Sequence, residues 1–339
     1  KHTLKMIHHT TVFKRIIDAL TQLHLHDTIR QRKRYLYMRV IHANKVIYKF
    51  KHDLEPIDTI KDGEKVSIHT NDCFFQQVET EDDLVSEIDF GQVNPANGPF
   101  FIENAEIGDV LKVEILDIRV ADQGSIVVLP GGGALGNKVS KPLTRIVPIE
   151  DGQVNFLGLK KDIDPMIGVI GVSPGKDQEG VVTGTPGNHG GNMDTTDVRK
   201  GATLYFPVRE KGALLALGDC HAIMGDGELC ISGLEIQADV DLKISVVKNV
   251  SINWPLIEND TQVMVVSSED TLDDAVKSAG YEITDFIQKA HDILWEEAYM
   301  FNSLFVDYKI SQVVNPKKTV RAVVDKDLLP ISKILSQKQ

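Results

Sequence analysis

Cysteine is scarce in this sequence: Cys73, Cys220 and Cys230 are the only three among 339 residues. Three thiols make no disulfide framework, none of their spacings is that of a zinc ribbon, and an odd count fits a reducing, cytoplasmic setting. Positive charge is also in deficit. A net charge of −12 lacks the basic face that nucleic-acid binding demands. No apolar run reaches the roughly 18–20 residues of a membrane span, so neither nucleic acid nor membrane is an expected partner. Gly131-Gly132-Gly133 and Pro174-Gly175-Lys176 lack the Gly-x-x-x-x-Gly-Lys-Ser/Thr spacing and the strand–helix frame of a phosphate cradle, which argues against nucleotide binding. Internal repeats and low-complexity tracts are absent as well.

What is there suits a globular chain with a sizeable core: 42% hydrophobic and 25% charged residues. Residues 1–37 stand apart, with eight Lys and Arg against two Asp and five of the eleven histidines. This basic leader reads as translated upstream sequence with Met38 as the natural start, or as a targeting peptide. It is set outside the fold. From Arg39 onward, short apolar runs such as Val66 to Thr70, Val110 to Ile118 and Ser125 to Leu129 are bounded by Gly, Asp, Asn or Pro, the punctuation of strands. Alternation through Ala238, Val240, Leu242, Ile244 and Val246 predicts a long strand. Helical spacing appears only late, over Asp270 to Ser278 and Asp285 to Phe305. The pattern is mainly β with an α+β tail.

Chemistry concentrates in Gly218-Asp219-Cys220-His221-Ala222-Ile223-Met224-Gly225-Asp226-Gly227-Glu228. The apolar run Ala213 to Leu217 reads as a strand, and alternation then sets Asp219 and His221 on one face. Gly225 and Gly227 permit a sharp turn that brings Asp226 and Glu228 back toward them. A second Gly-rich cluster lies upstream, Pro186-Gly187-Asn188-His189-Gly190-Gly191-Asn192-Met193-Asp194. Imidazole and carboxylate on two such loops point to a metal or hydrolytic site.

These motifs carry a resemblance. Asn188 to Asp194, Gly201 to Val208, Gly218-Asp219-Cys220-His221-Ala222 and Gly225-Asp226-Gly227-Glu228 are similar to the acetamidase/formamidase family of amide hydrolases. Thr70-Asn71-Asp72-Cys73-Phe74, Asn94 to Pro99, Pro165 to Val172 and Ile310 to Pro316 match in order, so the similarity covers about residues 39–330. It implies hydrolysis of formamide- or acetamide-type substrates and a homo-oligomer, dimer or higher. It also implies a β-sandwich, with a smaller inserted β-domain and an α+β C-terminal portion. The corresponding segments are 38–125 with 200–260 for the sandwich, 126–199 for the small domain or loops, and 261–339 for the tail.

Cleaving an unactivated amide needs a nucleophile, oxyanion stabilisation and an acid for the leaving amine. A divalent metal such as zinc supplies the first two by acidifying water and polarising the carbonyl. With the resemblance, residue chemistry nominates Asp72, His189, Asp194, Asp219 and His221 as ligands. Glu228 is the acid/base, and Asn188 and Asn192 are amide or oxyanion donors. Plainer readings stand beside these: a turn role for Asp72, a turn cap for Asp194, a buried ion pair for Asp219 with His221, a strand-edge charge for Glu228. Two other functions compete, a cysteine amidase using Cys220 and a β-sandwich binding protein without turnover. On a regular strand Cys220 faces away from both neighbours and reads as a packing residue.

Overall fold

Short apolar runs build two large, mostly antiparallel sheets and a small two-stranded one in this computed structural model, which describes residues 38–42 and 45–336. The basic leader therefore lies outside the described residues, and the chain from Ile41 onward forms one compact unit. One sheet runs in the order Lys65–Thr70, Ala238–Val247, Val110–Val120, Thr203–Pro207, Leu256–Glu258, Gln262–Glu269, Lys318–Asp325 and Val306–Gln312. The other runs Leu159–Asp162, Gln153–Phe156, Leu143–Glu150, Gln123–Val128, Glu235–Ile236, Leu215–His221, Met166–Gly171 and Gly190–Asn192, with Ala96–Ile102 also paired to Leu215–His221. Val66, Ile68, Val113, Leu204, Val240 and Leu242 of the first sheet share one buried cluster with Phe100, Ile167, Ile170, Leu215 and Leu217 of the second. This is the sandwich core. Each such side chain contributes roughly 1.5–3 kcal/mol on burial.

The mainly β fold class expected from sequence holds, and so does the late helical portion. The helix boundaries differ. A single helix spans Leu272–His291, with Thr271 Oγ1 accepting the Asp274 N–H at 3.1 Å as its N-cap, and a second spans Trp295–Phe305. The expected gap after Ser278 is helical because its polar residues find partners inside the protein. Glu282 accepts from the main chain and side chain of Asn253 at 2.8 and 2.7 Å, and Thr284 accepts from Asn302 Nδ2 at 2.8 Å. The break falls instead at Asp292, whose φ is 51°. Among the described residues no helix is long and apolar enough to cross a membrane.

For the site, the important strand is Leu215–His221. Met166–Gly171 pairs along one edge, while Ala96–Ile102 and then Glu235–Ile236 pair along the other, leaving His221 directly opposite Glu235. Both edges are occupied, so its side chains are held in a fixed frame.

Candidate active site

The backbone of the strand Leu215–His221 turns left-handed at Asp219, with φ 56°. Asp219 Oδ1 then lies 3.6 Å from His221 Nε2. Cys220 belongs to the sandwich core, where Thr70 Oγ1 donates to its sulfur at 3.6 Å. Burial pushes this thiol up to about 12, which leaves no thiolate nucleophile at neutral pH.

The Gly225–Gly227 turn is tied down from outside: Gly227 N–H donates to Ser311 O at 2.8 Å and Val313 N–H donates to Gly227 O at 3.2 Å. The chain then enters Glu228 with φ 45° and sends its carboxylate inward. Asp226 goes elsewhere, accepting Arg321 Nη2 at 2.7 and 2.9 Å and Thr196 Oγ1 at 2.8 Å. Asp194 follows the strand Gly190–Asn192, again left-handed at φ 40°. Its Oδ2 accepts Asn315 Nδ2 at 2.6 Å, while Oδ1 lies 4.0 Å from His221 Nε2. One donor atom each from Asp194, His221 and Glu228 lies within 4.8 Å of the others. Glycine makes this approach possible: a Cβ on Gly168 would fall 2.4 Å from Asp194 Oδ1 and 2.7 Å from Asp219 Oδ2.

Two further residues join that the sequence reading did not single out. Glu235 Oε1 is 3.2 Å from His221 Nε2, and Cys73 Sγ lies within 4.8 Å of Asp219 and Glu235 oxygens. The available signal for Glu235 was a lone carboxylate inside the apolar run Leu234 to Ile236.

Four carboxylates and one imidazole are thus packed together at 0–6% exposure. No Lys or Arg among the described residues pairs with any of Asp194, Asp219, Glu228 or Glu235. Burial and Asp219 push Asp194 up to about 6. Burial and Asp219 likewise lift Glu235 to about 8, against the pull of His221. Burial and Asp194 hold Glu228 well above the usual carboxylate range. Burial opposes a charge on His221, yet Glu235 and Asp219 raise its pKa well above the ordinary imidazole value. Asp194 Oδ1, Asp219 Oδ1, Glu228 Oε2, Glu235 Oε2 and both His221 ring nitrogens have no hydrogen-bond partner. Even the 3.2 Å approach of His221 and Glu235 lacks hydrogen-bond geometry. Unpaired buried donors and acceptors of this kind are costly. These oxygen, nitrogen and sulfur donors are of the kind that could hold a divalent cation.

The remaining nominated residues do not belong to either donor group. Asp72 caps its own turn, accepting the N–H groups of Phe74 at 2.9 Å and Gln76 at 3.1–3.2 Å. It also lines a cavity of about 170 Å³ together with Glu235. His189 packs edge-on against Phe50 with ring centroids 5.1 Å apart, and burial holds it down at about 3. Asn188 accepts from Arg209 through its main chain at 3.4 Å. Asn192 is buried with Oδ1 unpartnered. On the other side, Glu228 lines a mostly apolar cavity of about 450 Å³ with Ile223, Met224, Leu229 and Leu234.

Comparison with known proteins gives consistent matches. The model of the Acetamidase/Formamidase family matches residues 38–179 and 176–323. A formamidase of Methylophilus methylotrophus is 26% identical over 264 residues, 58% of this chain and 63% of that protein. An acetamidase of Mycolicibacterium smegmatis is 23% identical over 261 residues, 58% of this chain and 64% of that protein. The chain thus spans less than two thirds of these relatives' length. Among solved structures, an acetamidase from Bacillus halodurans superposes with a TM-score of 0.83 at 41% identity, covering 87% of this chain and 99% of that one. An acetamidase from Yersinia enterocolitica gives 0.81 at 30%, covering 86% and 93%.

Proposed function

Because this chain belongs to the acetamidase/formamidase family, we propose that it hydrolyses short-chain amides to ammonia and the carboxylate at the Asp194–Asp219–His221–Glu228 cluster. The observation that carries this reading is the set of four buried carboxylates around one imidazole, with their inward atoms unpartnered. Such an arrangement serves a reaction better than a fold.

Asp194, Asp219 and His221 hold the metal in this reading. A divalent ion, zinc by the donor set, supplies an acidified water and a polarised carbonyl. Glu228 is the proton carrier: burial beside Asp194 raises its pKa well above the usual carboxylate range, which favours the protonated form that serves the leaving amine. Asn192 and Asn188 orient the amide. The cavity of about 450 Å³ beside Glu228 admits the substrate and its apolar walls exclude water from the acyl side. Its volume is well beyond the ~30 Å³ share of one water, so acyl chains longer than acetyl fit.

The same family membership supports a homo-oligomer working in the cytoplasm. Tyr281, Tyr299, Met300 and Leu304 of the C-terminal helices are exposed, as an intersubunit face would be in the isolated chain.

Ammonia release from formamide, acetamide and longer amides, with and without a chelator and a thiol alkylator, tests the reading. Loss of turnover with chelator alone is expected. Loss with alkylator alone would return the reaction to a cysteine. No release from any small amide would leave a binding protein.

A further inference from the structure

We infer that the preferred amides carry a free carboxylate at the far end of the acyl chain, received by the Lys161 ammonium at the mouth of the cavity beside Glu228. The inference rests on the amide hydrolysis proposed above and names its substrate class. Such a substrate is the monoamide of a dicarboxylic acid. Water adds its oxygen to the acyl carbon, the C–N bond breaks and the nitrogen leaves as ammonia, so the product is the dicarboxylate.

Strand register is the first argument. Gln153–Phe156 and Leu159–Asp162 form an antiparallel hairpin in which Val154 pairs with Lys161 and Phe156 with Leu159. Directly opposed residues share a face, and successive residues alternate. One face therefore carries Val154, Phe156, Leu159 and Lys161, the other Gln153, Asn155, Lys160 and Asp162. The second face is polar throughout, and Gln153 Nε2 donates to Asp162 Oδ1 at 2.7 Å. The first is apolar but for Lys161, and its Val154, Phe156 and Lys161 line the cavity of about 450 Å³. Alternation alone calls for a fourth apolar residue there.

Charge is the second. Lys161 is the one Lys or Arg lining that cavity, and its side chain makes no ion pair or hydrogen bond among the described residues. The two carboxylates of the lining are engaged elsewhere. Asp226 accepts Arg321 through both oxygens, and Glu228 turns into the buried cluster with Asp194 and His221. The ammonium thus stands apart from the reacting centre, in a cavity whose walls include Ile126, Val147, Ile223 and Leu234. Lys161 is exposed. A lysine stem lies along apolar surface while its ammonium stays in water, which puts the charge at the mouth.

One ligand chemistry uses both features. A formyl or acetyl group is too short to reach from the reacting centre to the cavity mouth. The methylenes of a longer acyl chain gain burial against the apolar walls. A terminal carboxylate then gains a charge-assisted hydrogen bond from Lys161. A terminal ammonium would meet a like charge, and a neutral end would leave the lysine unused.

Paired substrates test this. The full-length chain is given straight-chain monoamides from succinamate to suberamate, each beside the neutral amide of equal chain length, and kcat/KM is compared. The expected result is a preference of about fivefold or more for the carboxylate member of at least one pair, carried by KM and shrinking as salt is raised. Lys161→Met abolishes that preference and Lys161→Glu turns it toward ω-amino amides. Lys160→Met, on the polar face of the same hairpin, keeps it. Circular dichroism confirms that each variant is folded. Equal kcat/KM within every pair, or a preference that survives Lys161→Met, overturns the inference, while turnover of any amide leaves the proposed function standing. If no amide is turned over, calorimetric titration with adipate against hexanoate decides. Tighter adipate binding that Lys161→Met removes sustains the ligand class, and equal binding overturns it.

Discussion

Glu235 stands directly opposite His221 across two antiparallel strands, and its Oε1 lies 3.2 Å from His221 Nε2. The approach brings a fourth carboxylate to the imidazole. Glu235→Gln is expected to lower amide turnover about 10–100-fold, the usual effect of removing a group that supports a metal site. Turnover assays on the folded variant check this, and an unchanged rate would remove Glu235 from the site.

Gly168 leaves no room for a methyl group, which would fall 2.4 Å from Asp194 Oδ1. Gly168→Ala should cost about 1–3 kcal/mol of stability through overpacking. It should also weaken zinc binding, since Asp194 and Asp219 must move apart. Denaturant unfolding and a zinc titration measure the two effects, and unchanged zinc affinity would show that these carboxylates are not the ligands.

Cys220 lies between two site residues yet packs in the sandwich core. Cys220→Ala should cost about 1 kcal/mol and keep turnover in the same order of magnitude. A folded variant without activity would restore the thiol mechanism.

Arg321 is buried and holds Asp197 at 2.7 Å, Asp226 at 2.7 Å and Ser311 Oγ at 3.1 Å. Arg321→Ala leaves the buried Asp197 with the looser 3.9 Å approach of Arg199, so a loss of about 3 kcal/mol is expected in denaturant melts. Asp197→Ala added to it should recover part of that loss.

His189 binds its proton only near pH 3 in the folded chain, because burial disfavours the charge. The unfolded chain takes that proton near the ordinary imidazole value of about 6.5. Between these values the unfolded state holds the extra proton, so stability from this residue falls as pH falls, by up to ~1.4 kcal/mol per pH unit. His189→Gln should flatten the melting-temperature profile from pH 6.5 to 4 relative to the parent. Parallel profiles would mean that His189 is solvated in solution.

The parts legible in the sequence were those encoded locally. Ala238, Val240, Leu242 and Ile244 alternate, and all four enter the sandwich core. Asp219 and His221 sit two residues apart, and the Gly225–Gly227 turn returns Glu228 to them, so one short stretch supplies three cluster members. Asp194 joins through a family motif rather than through spacing. Glu235 and Cys73 were passed over for a physical reason: strand register and loop packing bring them in, and neither is written in neighbouring residues. Helix limits failed likewise, since Glu282 looks solvated until Asn253 is seen to bind it.

Asp194, Asp219 and Glu228 all hold left-handed backbone, with φ of 40°, 56° and 45°. For residues carrying a Cβ, that conformation costs roughly 1–2 kcal/mol each. Glycine at any of the three would relieve it and remove a buried charge besides. Selection for folding alone therefore pushes against the site at three separate places. A relative that had stopped using this chemistry would drift toward Gly there, growing sturdier as it decayed. The three positions together give a molecular marker for telling working copies from relics.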